Sequence, residues 1–198
     1  MANTNKSGKI FTKNLTMVAI LTAITVVLQI VSLVSRPFLP FSITLSLFSI
    51  VIGAALCGPV TSSWLGFVFG VTVLLSGDAA AFLTVNIPGT IITVLAKGTL
   101  AGLAAGLIYK LASKVNGYFG VFCSAVAAPV VNTGVFLLGC KLFFMDTITS
   151  WAEAAGSPNV GSYIILSFVG INFLIELGVN MVCSPIILRL INIRKKEG

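Results

Sequence analysis

Apolar stretches close to bilayer length fill this chain, and nearly every charged residue falls between them. Only 9% of the 198 residues are charged, against about 25% in a soluble domain, and the mean hydropathy is +1.09. So little charge cannot keep a globular surface dispersed in water. In hydrocarbon, each backbone N–H and C=O must be satisfied within the protein, which leaves helices or a closed barrel. The stretches are continuous rather than alternating, so the reading is an all-α integral membrane protein with one membrane domain over residues 1–198.

Breaks in the pattern give six spans, at about 15–34, 42–56, 60–76, 89–109, 118–140 and 161–188. Two prolines and an arginine mark the first break, Ser35-Arg36-Pro37-Phe38-Leu39-Pro40, and Cys57-Gly58-Pro59 reads as a tight turn. Pro129 is expected to interrupt the fifth span, and residues 141–160 read as the longest polar connection. The basic N-terminus followed by an apolar run resembles a signal peptide. The run is of span length and lacks a small-residue cleavage pattern, so it reads as a retained first helix.

The net charge of +7 does not point to nucleic acid. Lys6, Lys9, Lys13, Lys110, Lys114, Arg189, Arg194, Lys195 and Lys196 cluster at the two termini and one loop, with no aromatic residues interleaved in a basic groove. Six spans put those three clusters on one side, and the positive-inside rule makes that side the cytoplasm. The loops at 35–41, 77–88 and 141–160 then face outward.

Two charges depart from the pattern. Lys97 and Glu176 lie deep in apolar stretches, where a lone charge costs several kcal/mol unless it is paired or faces a cavity. The next basic residues, Lys110 and Arg189, each lie 13 positions further on. At about 1.5 Å per residue, both charges are then roughly 20 Å from the basic helix ends. The fourth and sixth spans run in the same direction, so the charges share one level. Asn172, Glu176 and Asn180 recur at a spacing of four and lie on one helix face. Asn132, on the fifth span, joins that level from a third helix. The group reads either as a solute pocket offering both charge signs or as a buried ion pair that locks the bundle. Phe38, Phe41, Phe82, Asn86 and Trp151 in the outer loops form either an aromatic wall over the pocket or an interfacial belt.

Other chemistry is lacking. The chain has no histidine and no GxxxxGK[ST], HExxH or GxSxG motif. Cys57, Cys123, Cys140 and Cys183 show no CxxC spacing and read as small apolar filler. No metal, cofactor or catalytic residue is expected. Ala19 and Ala23 form an AxxxA pair that permits close helix approach, toward a neighbour in the chain or another subunit.

A small, basic-tailed six-span chain carrying Ala19-Ile20-Leu21-Thr22-Ala23, the Pro37-Phe38-Leu39-Pro40 loop, Leu95-Ala96-Lys97-Gly98-Thr99-Leu100-Ala101-Gly102-Leu103 ending at Tyr109-Lys110, and Val131-Asn132-Thr133-Gly134 resembles the substrate-binding S components of energy-coupling factor (ECF) transporters. The resemblance covers about residues 12–195. It implies a vitamin or similar micronutrient captured outside a bacterial cell membrane, beneath the outer loops. It also implies a transmembrane T subunit that docks on Ala19 and Ala23, two separate ATPase subunits that supply energy, and toppling of the loaded chain in the bilayer. A deep lysine favours a ligand with a carboxylate, such as pantothenate or a folate-like acid. Thiamin-type members resemble a pocket of stacked aromatic residues, for which this chain offers only Trp64 and Trp151. Two other readings stay open: a self-sufficient secondary transporter or channel that uses Lys97 and Glu176 as an ion relay, and a membrane assembly factor without a solute.

Overall fold

A computed structural model describes residues 2–34, 44–166 and 170–196. The 35–41 loop, with Arg36, Phe38 and Phe41, lies outside the described residues. The described chain is helical: α1 (Ala2–Val34), α2 (Ser46–Cys57), α3 (Pro59–Leu75), α4 (Ala80–Leu83), α5 (Ile87–Ala112), α6 (Gly117–Phe143), α7 (Met145–Ala154), α8 (Val160–Ile164) and α9 (Gly170–Lys196). Four segments, within α1, α5, α6 and α9, are long and apolar enough to cross a membrane; α2 and α3 are shorter apolar helices.

The helix ends follow local chemistry. Asn86 and Asn116 accept hydrogen bonds from the backbone N–H groups of Gly89 and Tyr118, satisfying free donors at the starts of α5 and α6. Between α2 and α3, Gly58 adopts φ +89° and Pro59 opens the next helix, so the tight turn read from Cys57-Gly58-Pro59 is present. The left-handed backbone there favours glycine.

Helix α2 is the hub. It spans 12 residues, about 18 Å and well short of a bilayer's ~30 Å hydrocarbon core. It packs against α1, α3, α5, α6 and α9, and Leu47, Ile50, Val51 and Ala54 are fully enclosed. A short helix is tolerated at membrane depth where protein surrounds it. Its serines face α1: the Thr25 and Ser49 hydroxyls lie 2.8 Å apart, and Ser46 Oγ donates to Gln29 Oε1 at 3.1 Å. Gln29 Nε2 in turn donates to Asp78 Oδ2 at 3.2 Å, tying the α3–α4 turn to α1. Interhelical hydrogen bonds in membranes are worth ~0.6 kcal/mol on average, and an orphaned buried group costs about 1–3 kcal/mol. Gln29→Ala is therefore expected to lower stability by about 1 kcal/mol, read as a lower thermal midpoint in detergent. An unchanged midpoint would assign the seam no stabilising role.

Helices α3 and α5 press backbone to backbone. A Cβ added to Gly66 would collide with the Gly98 carbonyl, and one on Gly102 with the Ser62 carbonyl. Gly66 meets Gly98 while Ser62 meets Gly102, so the two helices are antiparallel. Helices α5 and α6 are antiparallel as well: Ser124 Oγ donates to the Ala105 carbonyl at 2.9 Å, and Gly139 abuts Thr93.

Two expectations are corrected. Helix α6 continues through Pro129 instead of breaking there. The proline removes one N–H donor, and Pro129 and its neighbours Ala127 and Ala128 are buried against other helices, which hold the segment helical. The 141–160 connection contains α7 rather than only a loop. Ile148 and Ala152 are enclosed while Asp146 and Glu153 face out; the exposed acids masked an amphipathic period of three to four.

Candidate functional site

Thr93 and Lys97 occupy one face of α5. Asn132, Phe136 and Cys140 occupy one face of α6, and Asn172, Glu176 and Asn180 one face of α9. Each set repeats at i, i+4, so each forms a column along its helix. The α5–α6 register set by Thr93 and Gly139 brings Lys97 level with Phe136. Tyr118, at the start of α6, lines one cleft with Arg189, near the end of α9. Helices α6 and α9 are therefore antiparallel, and α5 and α9 run in the same direction. The shared level of Lys97 and Glu176, inferred from spacing alone, is present: the two groups act on each other electrostatically, and Cys140 lies within the same field.

They do not close into an ion pair. Among the described residues no carboxylate comes within ion-pair distance of the Lys97 ammonium. Its Nζ instead lies 5.2 Å from the ring centroid of Phe136 and 5.8 Å from that of Phe69. Both distances fall within the ~6 Å reach of a cation–π contact. Glu176 is 2% exposed and is hydrogen-bonded by the side chain of Thr44, just before α2.

The surrounding polar atoms are short of partners. Thr93 Oγ1, Asn132 Oδ1, Asn172 Oδ1, Glu176 Oε2 and Asn180 Oδ1 are buried with no hydrogen-bond partner among the described residues. Each such atom costs about 1–3 kcal/mol when left unmet. Asn180 is only half used, its Nδ2 donating to the Glu176 carbonyl at 2.9 Å. Three helix faces thus carry buried acceptor oxygens without a partner among the described residues, and one of these groups, Glu176, acts electrostatically on Lys97.

An aromatic roof adjoins this group. Phe82 of α4 makes edge contacts with Phe136, Phe144 and Trp151 at centroid distances of 5.7, 5.0 and 5.8 Å. Phe136 serves both layers, touching the roof and Lys97. Phe82 and Trp151, singled out from the outer loops, are brought together. Asn86 is partly committed, since its Oδ1 accepts from Gly89 N–H as the α5 cap at 2.9 Å. Phe38 lies outside the described residues. Trp64 stands apart, exposed on α3, with its Nε1 donating to Thr22 Oγ1 of α1 at 3.3 Å.

Sequence reasoning missed Thr93, Phe136, Phe69, Cys140 and Thr44. Thr93 and Phe136 each lie four positions from a residue it had chosen, so helical spacing carried a signal for both. Phe69 had none, because only the glycine seam between α3 and α5 brings it under Lys97. Ala19 and Ala23 lie on the outer face of α1, both exposed.

Comparison with known families gives one result: residues 13–188 match the family model for the ECF transporter, substrate-specific component. No curated protein and no solved structure matches the chain. The match reaches into all six apolar helices among the described residues and includes the three polar columns and the Ala19/Ala23 face. The chain therefore belongs to the family of ECF transporter substrate-specific components: it is a multi-pass membrane protein that binds a small-molecule substrate for an importer whose other subunits hydrolyse ATP.

Proposed function

We propose that this protein captures a small, water-soluble, carboxylate-bearing micronutrient from outside a bacterial cell. In this reading the chain crosses the plasma membrane six times with both termini in the cytoplasm. Pantothenate and folate-like acids have the required chemistry: at least one carboxylate, together with hydroxyl, amino or amide groups that donate hydrogen bonds. The observation that carries the proposal is the state of Lys97, a cation deep in the bundle with two aromatic faces beside it and no contact ion pair among the described residues. A ligand carboxylate would complete it. Donors on the same ligand would meet the unpaired oxygens of Asn132, Asn172 and Glu176. Phe82 and Trp151 would close over the bound molecule from the roof, with Asn86 at its rim. The bundle would then topple against the T subunit to deliver the ligand inward. The ion-relay reading lacks the direct Lys97–Glu176 contact that proton or ion transfer between them would use.

Mass spectrometry of small molecules retained by the gently purified protein identifies the ligand class. Titration calorimetry then tests the role of Lys97. Lys97→Ala is expected to weaken an acidic ligand about 100-fold, or ~2.7 kcal/mol, within the range for removing one partner of a buried charge pair. Lys110→Ala, at an exposed helix end, leaves affinity unchanged. Equal affinities for the Lys97 variant and the wild type would return Lys97 to a purely structural role.

A further inference from the structure

A second polar site lies at the far end of the bundle from the aromatic roof. Tyr118, Pro185, Leu188, Arg189, Asn192 and Ile193 line a cleft of about 460 Å³ where the start of α6 meets the end of α9. Its lining is divided. Arg189, Asn192 and Tyr118 supply a guanidinium, an amide and a phenol, while Pro185, Leu188 and Ile193 supply an apolar ledge. Arg189 and Tyr118 are exposed rather than folded into the core, and among the described residues no carboxylate forms an ion pair with Arg189. The N-terminus of the 27-residue helix α6 adds the positive end of its dipole beside Tyr118.

From this geometry we propose that the cleft binds the headgroup of an anionic phospholipid, with the phosphate on Arg189 and the proximal acyl chains along Pro185, Leu188 and Ile193. Charge complementarity selects that occupant. Lys110 and Lys114 are exposed at the same end, and the basic residues 194–196 follow Ile193 directly in the chain. Together they draw anionic lipid to that leaflet, and basic clefts between membrane helices are suited to anionic headgroups. A zwitterionic lipid offers no net charge to this field. A free phosphate satisfies the arginine and leaves the ledge bare. A polar peptide likewise gains nothing from the apolar ledge. A lipid headgroup uses both halves of the lining.

The test uses the full-length protein in dodecyl maltoside micelles doped with dioleoyl phosphatidylglycerol, dioleoyl phosphatidylcholine or inorganic phosphate. Native mass spectrometry counts bound lipid, and thermal unfolding reports stabilisation. Phosphatidylglycerol is expected to be retained and to raise the unfolding midpoint above that in phosphatidylcholine, while inorganic phosphate has no such effect. Arg189→Gln is expected to lower phosphatidylglycerol affinity about fivefold, the equivalent of one basic contact at a charged surface. Lys110→Gln, outside the cleft, retains most of it. Asn192→Leu keeps the ledge and removes the amide, giving a second reading should Arg189→Gln fold poorly. Equal retention of the two lipids, an equal loss in Lys110→Gln and Arg189→Gln, or stabilisation by phosphate alone would overturn the proposal.

Discussion

Replacing Ala19 and Ala23 together by leucine is expected to abolish ATP-driven uptake while leaving ligand affinity and thermal stability unchanged. Both alanines lie on the outer face of α1, where Leu15, Ile20 and Ile24 are also exposed. Both positions are exposed among the described residues, so two leucines there have little to displace, and surface changes of this kind stay within about 0.5 kcal/mol. A partner helix would respond strongly. Close approach across a small-xxx-small pair brings backbones within reach of each other, and two isobutyl groups hold the axes apart. Binding and uptake therefore separate. Calorimetry on the isolated chain and uptake by cells co-expressing the T and ATPase subunits measure the two sides. Uptake that persists in the double variant would place the docking surface elsewhere, and lost binding would make the alanines part of the fold.

Gly98→Leu is expected to prevent folding or to lower stability by roughly 3 kcal/mol or more. A Cβ at this position collides with the Gly66 carbonyl and reaches Phe69 Cδ1 at 3.0 Å. Backbone cannot yield as a flexible side chain can, so α3 and α5 must separate along the whole seam, and overpacking of this kind costs about 1–3 kcal/mol even in adaptable cores. The same separation moves Phe69 away from Lys97, so any protein that folds should bind ligand less tightly. Gly134→Ala is the matched control: nothing lies within 4 Å of its added Cβ, and alanine in a helix gains up to about 1 kcal/mol over glycine. Thermal unfolding in detergent compares the two, and an unchanged midpoint for Gly98→Leu would mean that the seam is looser than its contacts indicate.

The residues near Lys97 show how far helical spacing reaches. Asn172, Glu176 and Asn180 were legible as one face because α9 is regular and its polar positions stand out from leucine, isoleucine and valine. Lys97 and Glu176 were legible as level because chain length along a helix converts directly to height. Phe136 and Thr93 were within reach of the same arithmetic and were hidden by being ordinary residues in an apolar span. The acids of α7 misled in the opposite direction, since Asp146 and Glu153 gave a loop-like composition to a segment that buries Ile148 and Ala152.

The chain by itself determined the solvent it lives in and which stretches form apolar helices, because hydrophobicity and helical rise are local properties; the helix ends were set with the packing, as where the span read at 161–188 is described as α8 and α9. Which groups touch was decided only by tertiary packing. The glycine seam chose the rotation and separation of α3 and α5, and so put an aromatic ring under Lys97 in place of a carboxylate. The burial of α2 among five helices set Thr44 against Glu176. Lys97 and Glu176 were a matched pair on paper; lateral packing, which no one-dimensional spacing encodes, left them within electrostatic range of each other without an ion-pair contact among the described residues.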